Sequence, residues 1–330
     1  MALDVVRAEA LLSSLEGTKI IVVGDLILDQ YVWGEVNRIS PEAPIPVVEV
    51  LKESFSLGGA ANVAHNARAL GAMVDACGVV GEDEEGRRLL RMLEEKGIGT
   101  DGVITDPSRP TTLKTRIVAH RQQVVRVDRE DARNLESPRL AELLERLKGL
   151  LQKGAAIVLE DYGKGVIQEA LLREILPLAK RAGRIVTVDP KRDHFSLYGG
   201  VTAITPNRQE AEVATGIRIA DQKSLHEAGS ILLGRLSCAA VLIKLGERGM
   251  CLFESGQRPY EIPARAREVF DVSGAGDTVI AVFTTALASG ASMREAAVLS
   301  NLAGGLVVEK LGTATVTREE IRSRLREIGL

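Results

Sequence analysis

Apolar residues along this chain fall into two alternating patterns. Short unbroken aliphatic runs occur at "KIIVVGD" (19–25), "MVDACGVVG" (73–81), "AAIVLED" (155–161), "RIVTVDP" (184–190), "AITPN" (203–207) and "AAVLIKLG" (239–246). Runs of this length bounded by Gly, Asp or Pro predict buried strands. Between them lie longer segments with apolar residues every three or four positions. These predict helices at 4–16, 60–72, 83–97, 138–152, 168–182, 208–215 and 222–236, and three more near 275–289, 292–310 and 317–328. Strands alternating with helices predict an α/β fold: a doubly wound, mainly parallel sheet flanked by helices.

Two stretches break this rhythm. Residues 26–59 have little helical period and several prolines, with short β-rich pieces such as "IPVVEVL". Residues 111–130 alternate in period two, turn at "AHRQQ" and continue as "VVRVD", which predicts a hairpin with a basic face. Together, excursions at about 30–57 and 111–130 predict a small β-strand lid on one domain spanning 1–330. A second hairpin, 249–263, leads into a strand-like "EVF" and then the turn "DVSGAGD" (271–277).

Composition narrows the picture. A hydrophobic content of 45% supplies a sizeable core, and the net charge of -3 carries no basic excess for nucleic acid. The 3 cysteines lack a CxxC, and the 4 histidines lack metal-ligand spacing. No signal-peptide core or membrane-length apolar run occurs, so the expectation is a cytoplasmic protein without membrane or nucleic-acid partners.

Candidate chemistry gathers at the strand ends, where doubly wound folds bind ligands. The turn at 273–277 is the sharpest. Gly274, Ala275 and Gly276 bring backbone amides and a helix N-terminus to one point, an anion site that needs no cationic side chain. Asp277 beside it reads equally as a helix-start carboxylate or as a base for a hydroxyl attacking a phosphoryl group. Asp25 and Asp29 are candidates for sugar hydroxyls, with Gly58, Gly59 and Asn62 opening the next helix. Lys114, Arg116, Arg121 and Arg126 on the hairpin could grip a phosphate, or form a solvated face. Asp161 and Lys164 follow one strand. Asn207 and Glu210 read as a helix cap, as holders of hydrated Mg²⁺, or as both. Lys244, Gly246 and Gly249 follow another strand. Neither a P-loop nor a dinucleotide fingerprint is present.

"SLGGAANVAHNARALGA" and "DVSGAGDTVIAVF" resemble the two signature regions of ribokinase-type (PfkB) carbohydrate kinases, and the resemblance runs over almost the whole chain. "GDLILDQYVWGEVNRISPEAPIPVVEV", "EDYGKGV", "VDPKR", "TPNRQEAE" and "EKLGTATVT" are similar to the branch that phosphorylates D-glycero-β-D-manno-heptose 7-phosphate for lipopolysaccharide core. That kinase is fused to a nucleotidyltransferase in some members, and this chain resembles the stand-alone form.

The resemblance implies ATP and Mg²⁺ as cofactors and a ribokinase-like fold. Asp277 would be the base, with the 274–276 amides as anion hole. Asp25, Asp29, Gly58, Gly59 and Asn62 would hold the sugar, and Lys164 with the basic hairpin its phosphate. Asn207, Glu210, Lys244, Gly246, Gly249 and Asn301 would line the nucleotide side. Residues 308–313 with Asp271, Gly312 among them, resemble a monovalent-cation (K⁺) loop. The lid is expected to form a homodimer. Alternatives are a kinase of the same fold for another phosphorylated sugar or nucleoside, and a silent sugar-phosphate or nucleotide sensor. Two departures stand out. Asp271-Val272-Ser273 replaces the broad family's Asp-Thr-Ala/Thr, and Glu160 replaces the branch's usual Ser before "DYGKG".

Overall fold

The computed structural model describes residues 4–120, 122–154, 156–266, 268–310 and 312–328. Helix α1 (Val5–Ser14) leads to β1 (Lys19–Gly24). The chain then leaves the core as β2 (Leu26–Ile39) and β3 (Pro46–Gly59) and re-enters it at α2 (Ala60–Ala69). β4 (Met73–Gly81), α3 (Glu84–Glu95) and β5 (Gly99–Asp106) follow. A second excursion forms β6 (Thr112–Ala119) and β7 (Gln122–Arg129). Alternation then resumes with α4 (Ser137–Leu151), β8 (Ala156–Glu160), α5 (Glu169–Arg181), β9 (Val186–Asp189), β10 (Ala203–Ile204), α6 (Arg208–Thr215), α7 (Gln222–Leu236) and β11 (Ala240–Lys244). The hairpin β12 (Met250–Glu254) and β13 (Tyr260–Ile262) precedes α8 (Ala275–Ala288), α9 (Met293–Val307) and α10 (Arg318–Glu327).

The main sheet has nine strands in the order β13-β12-β11-β10-β9-β8-β1-β4-β5. All neighbours from β11 to β5 run parallel, and only β12 and β13 are antiparallel. Its central strands are apolar on both faces because both faces are covered. Ile21, Val23, Ile157 and Leu159 pack toward α4 and α5, while Ile20, Val22 and Val158 pack toward α2 and α8. Successive strand residues point to opposite faces, so a continuous aliphatic run is what a doubly covered strand requires. Each such side chain contributes about 1.5–3 kcal/mol when fully buried. Strand order reverses between β1 and β8, and the carboxyl ends of these two strands open the crevice that such a switch point creates. No helix among the described residues is long and apolar enough to cross a membrane.

The second sheet has the order β3-β2-β6-β7. It matches the predicted lid but is larger and mixed: β2 pairs antiparallel with β3 and parallel with β6. The short pieces expected at 26–57 are two continuous 14-residue strands. The first residues of β2 and the last of β3 lie in the core. Burial runs from Leu26–Asp29 at the base to exposed residues at the tip, so the lid grows directly from β1 and α2. Two further readings are corrected. "EVF" is not a strand: Phe270 and Asp271 donate to the Val308 carbonyl in an irregular segment. The edge strand β5 was not expected, because "GTDGVITD" hides its period behind glycines and aspartates.

Candidate active site

Helix α8 begins at the carboxyl edge of the main sheet. Its N-cap Gly274 has φ 76°, a left-handed conformation that favours glycine. A Cβ there would also stand 2.7 Å from Asn62 Nδ2. Glycine therefore lets the turn close against α2. Ala275 donates its N–H to the Val272 carbonyl at 3.3 Å. The amides of Gly274, Gly276 and Asp277 have no protein acceptor among the described residues, so two of the three amides in the 274–276 reading are open and Asp277 adds a third.

Asp277 is 4% exposed. Its Oδ2 accepts from Asn62 Nδ2 at 2.7 Å and its Oδ1 from the Tyr162 hydroxyl at 3.0 Å. Burial pushes its pKa up to about 6, and the nearby Asp189 adds to this, against the pull of the Asn62 and Tyr162 donors. Asn62 is fixed by Asn66, whose Nδ2 donates to the Asn62 carbonyl and Oδ1. Asn66 in turn accepts from Thr278 Oγ1 at 2.9 Å. This chain ties α2 to α8 and fixes the angle of the carboxylate. Asn62, expected to hold sugar, donates to the Asp277 carboxylate.

Beside Asp277 stand Asp189 at the end of β9 and Glu160 at the end of β8. The three carboxylates can each offer an oxygen within 4.8 Å of the others. Lys244 at the end of β11 reaches Asp189 Oδ1 at 2.6 Å. Burial opposes its charge, but Asp189 and Glu210 outweigh burial and raise its pKa. Glu160 is 1% exposed, and burial with Asp189 and Asp277 nearby pushes its pKa well up. Tyr162, Glu160 and Asp189 were not among the expected site residues. The strand-end rule that found Asp161 also covers Asp189, but nothing in sequence aims Tyr162 at residue 277.

The sugar-side candidates divide. Asp25 is buried and bound to the loop after β8: its Oδ2 accepts from the Tyr162 and Lys164 amides, each at 2.9 Å, and its Oδ1 from Val166 at 3.2 Å. Burial nonetheless lifts its pKa to about 6. Asp161 is engaged by the Gly163 amide, the Tyr198 hydroxyl and His194. Asp29 pairs with Arg116 at the lid base. Gly58 faces the Asp29 carboxylate, and Gly59 has φ 53° with its Cβ position 2.6 Å from the Asp25 carbonyl.

The hairpin is less basic than its Lys and Arg content suggests. Lys114 lies 3.1 Å from Asp128, Arg126 binds Asp128 through two nitrogens, and Lys164 meets Glu130 at 2.6 Å. Arg121 lies outside the described residues.

On the other side of Lys244, Asn207 caps α6. Its Oδ1 accepts from the Glu210 amide and Glu210 returns the bond to the Asn207 amide, a reciprocal capping box. Burial raises the Glu210 pKa, and Asp189 adds to it. Gly246 and Gly249 bracket a 3₁₀ turn after β11, and Asn301 donates to the Pro263 carbonyl at 2.8 Å. Asp271 accepts from the Ser273 and Gly312 amides at 2.9 and 3.0 Å, joining the two loops proposed for a monovalent cation. The three cysteines are buried and free.

A buried carboxylate held at an amide-lined helix start, with a lysine alongside, suits phosphoryl transfer to an alcohol. The chain belongs to the pfkB family of carbohydrate kinases, whose family description matches residues 17–320. It is 44% identical to the bifunctional protein HldE of Desulfatibacillum aliphaticivorans and 46% identical to that of Citrifermentans bemidjiense, in each case over 96% of this chain. The chain spans 64% and 65% of the lengths of these relatives. Among solved structures, Arabidopsis thaliana ribokinase complexed with ribose and ATP superposes with a TM-score of 0.74 at 22% identity, covering 94% of this chain and 99% of that one. Escherichia coli phosphofructokinase-2 in complex with substrates and products gives 0.79 at 18%, covering 95% and 100%.

Proposed function

We propose that this chain is an ATP-dependent kinase that phosphorylates O1 of D-glycero-β-D-manno-heptose 7-phosphate, giving the 1,7-bisphosphate for ADP-heptose and lipopolysaccharide core synthesis. The observation that carries the reading is Asp277, buried and doubly oriented, next to the unshared amides that open α8. Asp277 takes the O1 proton as that oxygen attacks the γ-phosphorus in line. The Gly276 and Asp277 amides, with the positive end of the α8 dipole, meet charge on the transferred group. Lys244 adds a fixed cation beside Gly276, 3.2 Å from its Cβ position. The clustered carboxylates fit a divalent cation. Mg²⁺ there would neutralise nucleotide phosphate charge.

The heptose substrate rests on the branch motifs and on the HldE relatives. Lys114, Arg116, Arg126 and Lys164 are the candidate grips for its 7-phosphate, exchanging their carboxylate partners for phosphate oxygens. With heptose 7-phosphate and ATP in a coupled assay, turnover is expected, and at least 100-fold lower kcat/KM on the unphosphorylated heptose. The Arg116→Ala variant is expected to raise KM for the sugar phosphate about tenfold with little change for the unphosphorylated sugar. Equal use of both sugars would remove the phosphate-gripping role. Turnover only on another sugar or a nucleoside would redirect the substrate reading.

The lid also exposes Ile39 at the end of β2, Val50 and Leu51 on β3 and Val127 on β7, each more than half exposed. We read this face as the contact with a second copy of the chain. Light scattering is expected to give twice the 35.4 kDa chain mass. Leu51→Glu is expected to shift it toward the single mass, and a wild-type monomer at micromolar concentration refutes the dimer.

A further inference from the structure

The cleft carboxylates are not equivalent. Asp277 has a donor on each oxygen. Asp189 has Lys244 and Thr205 on Oδ1, at 2.6 and 2.9 Å. Its Oδ2 receives no donor among the described residues and lies 3.4 Å from the Cβ position of Gly276, beside the open amides of α8. Glu160 is different again. Neither of its oxygens receives a hydrogen bond among the described residues, and Oε2 is fully buried without a partner. An unpaired carboxylate at that depth costs several kcal/mol unless a proton, as its raised pKa allows, or a cation neutralises it. Lys244 does not fill that role, since its ammonium is committed to Asp189. Glu210 and Asp277 add further negative charge to the same pocket.

The motif-based candidates are worse placed to bind a cation directly. Asn207 Oδ1 and one Glu210 oxygen are used in the α6 capping box. The second Glu210 oxygen is free but sits on the α6 cap, whereas both oxygens of Glu160 and Oδ2 of Asp189 are free, among the described residues, within the carboxylate cluster at the strand ends. Hard divalent cations take oxygen ligands, and two carboxylates completed by water form an ordinary magnesium set.

We propose that Glu160 and the free oxygen of Asp189 form an inner-sphere site for a divalent cation on the floor of the cleft, next to the amides that begin α8. The proposal deepens the kinase reading above and rests on it for the ion's role. Glu160 is then a metal ligand, and Asn207 with Glu210 shapes the nucleotide side without contacting the ion directly. Asp277, with both oxygens occupied, stays outside the coordination shell and free to take a proton.

The test uses Mn²⁺ alone, with neither sugar nor nucleotide, so its outcome is independent of which substrate is phosphorylated. Free Mn²⁺ is read by electron paramagnetic resonance against the full chain. Wild type is expected to bind one Mn²⁺. Glu160→Gln, an isosteric change, is expected to weaken binding at least tenfold. Glu210→Gln removes a charge from the same pocket and serves as the electrostatic control, with less than threefold loss expected. Thermal melts of both variants confirm that they are folded. The site is overturned if Glu160→Gln binds Mn²⁺ as wild type does, if the two variants lose equally, or if wild type binds none at millimolar Mn²⁺.

Discussion

Asp277→Asn is expected to lower kcat about a thousandfold while leaving sugar KM within a few-fold, the range by which a positioned general base accelerates proton transfer. The amide keeps the shape but cannot accept the hydroxyl proton. As the proposed base, Asp277 works as its carboxylate, whose pKa is pushed up to about 6 by burial and Asp189. Log(kcat/KM) should therefore climb as pH rises toward 6 and level off above it. In the variant that limb should vanish from the residual activity.

Stability should move the opposite way. A carboxyl whose folded pKa lies above its unfolded value favours the fold in its neutral form, and that advantage is lost as pH rises through about 6. Relative to an ordinary value of 3.8 the shift corresponds to about 3 kcal/mol of charge-burial cost above pH 6. The amide removes that cost and returns part of it by facing the Asn62 amide group. A Tm rise of about 2 °C at pH 8, disappearing below pH 4, is the expected balance, checked by calorimetry at both values. Turnover near wild type in a folded variant would end the base assignment.

The site was legible where chemistry coincides with local punctuation. Gly274 and Asp277 stand in one turn between an irregular segment and a helix, and a glycine-rich helix start carries its own meaning. The lid was legible as a change of period, though its length was not. Polar residues along Leu26–Ile39 obscure the alternation of a strand that is buried only at its base. What sequence could not supply was register. Lys114 lies opposite Asp128 across β6 and β7, so acids at the end of the hairpin neutralise bases at its beginning. Read one strand at a time, the hairpin looks cationic. Read as a pair, each described base named there carries an acid. Tyr162 and Glu160 escaped for a related reason. Their roles depend on how the end of β8 faces α8, a contact between residues 115 positions apart for the Tyr162–Asp277 bond. The Asn62–Asp277 bond joins two helix starts 215 positions apart, and neither segment read alone shows it.

Lys244→Met is expected to have the largest effect on stability of any single change in the cleft. Lys244 is 14% exposed and supplies the positive charge facing Asp189, and it also lowers the pKa of Glu160, Glu210 and Asp277. Removing one partner of a buried pair leaves the other uncompensated, at a cost of about 3–5 kcal/mol. Urea denaturation at pH 7.5 reads this directly. Part of the loss should be recovered as the cleft carboxylates with raised pKa take up protons, so the deficit should shrink as pH falls. Lys244 also lowers the Asp277 pKa, so the acid limb of the residual rate profile should move above 6. The Lys244→Met/Asp189→Asn double variant removes both charges together. It should regain most of the stability and none of the activity, because the cation beside Gly276 is still missing. A single-variant loss under about 1 kcal/mol would mean that solvent or protons already screen the carboxylates. An unmoved acid limb would mean that Lys244 sets the phosphate side of the cleft without setting its base.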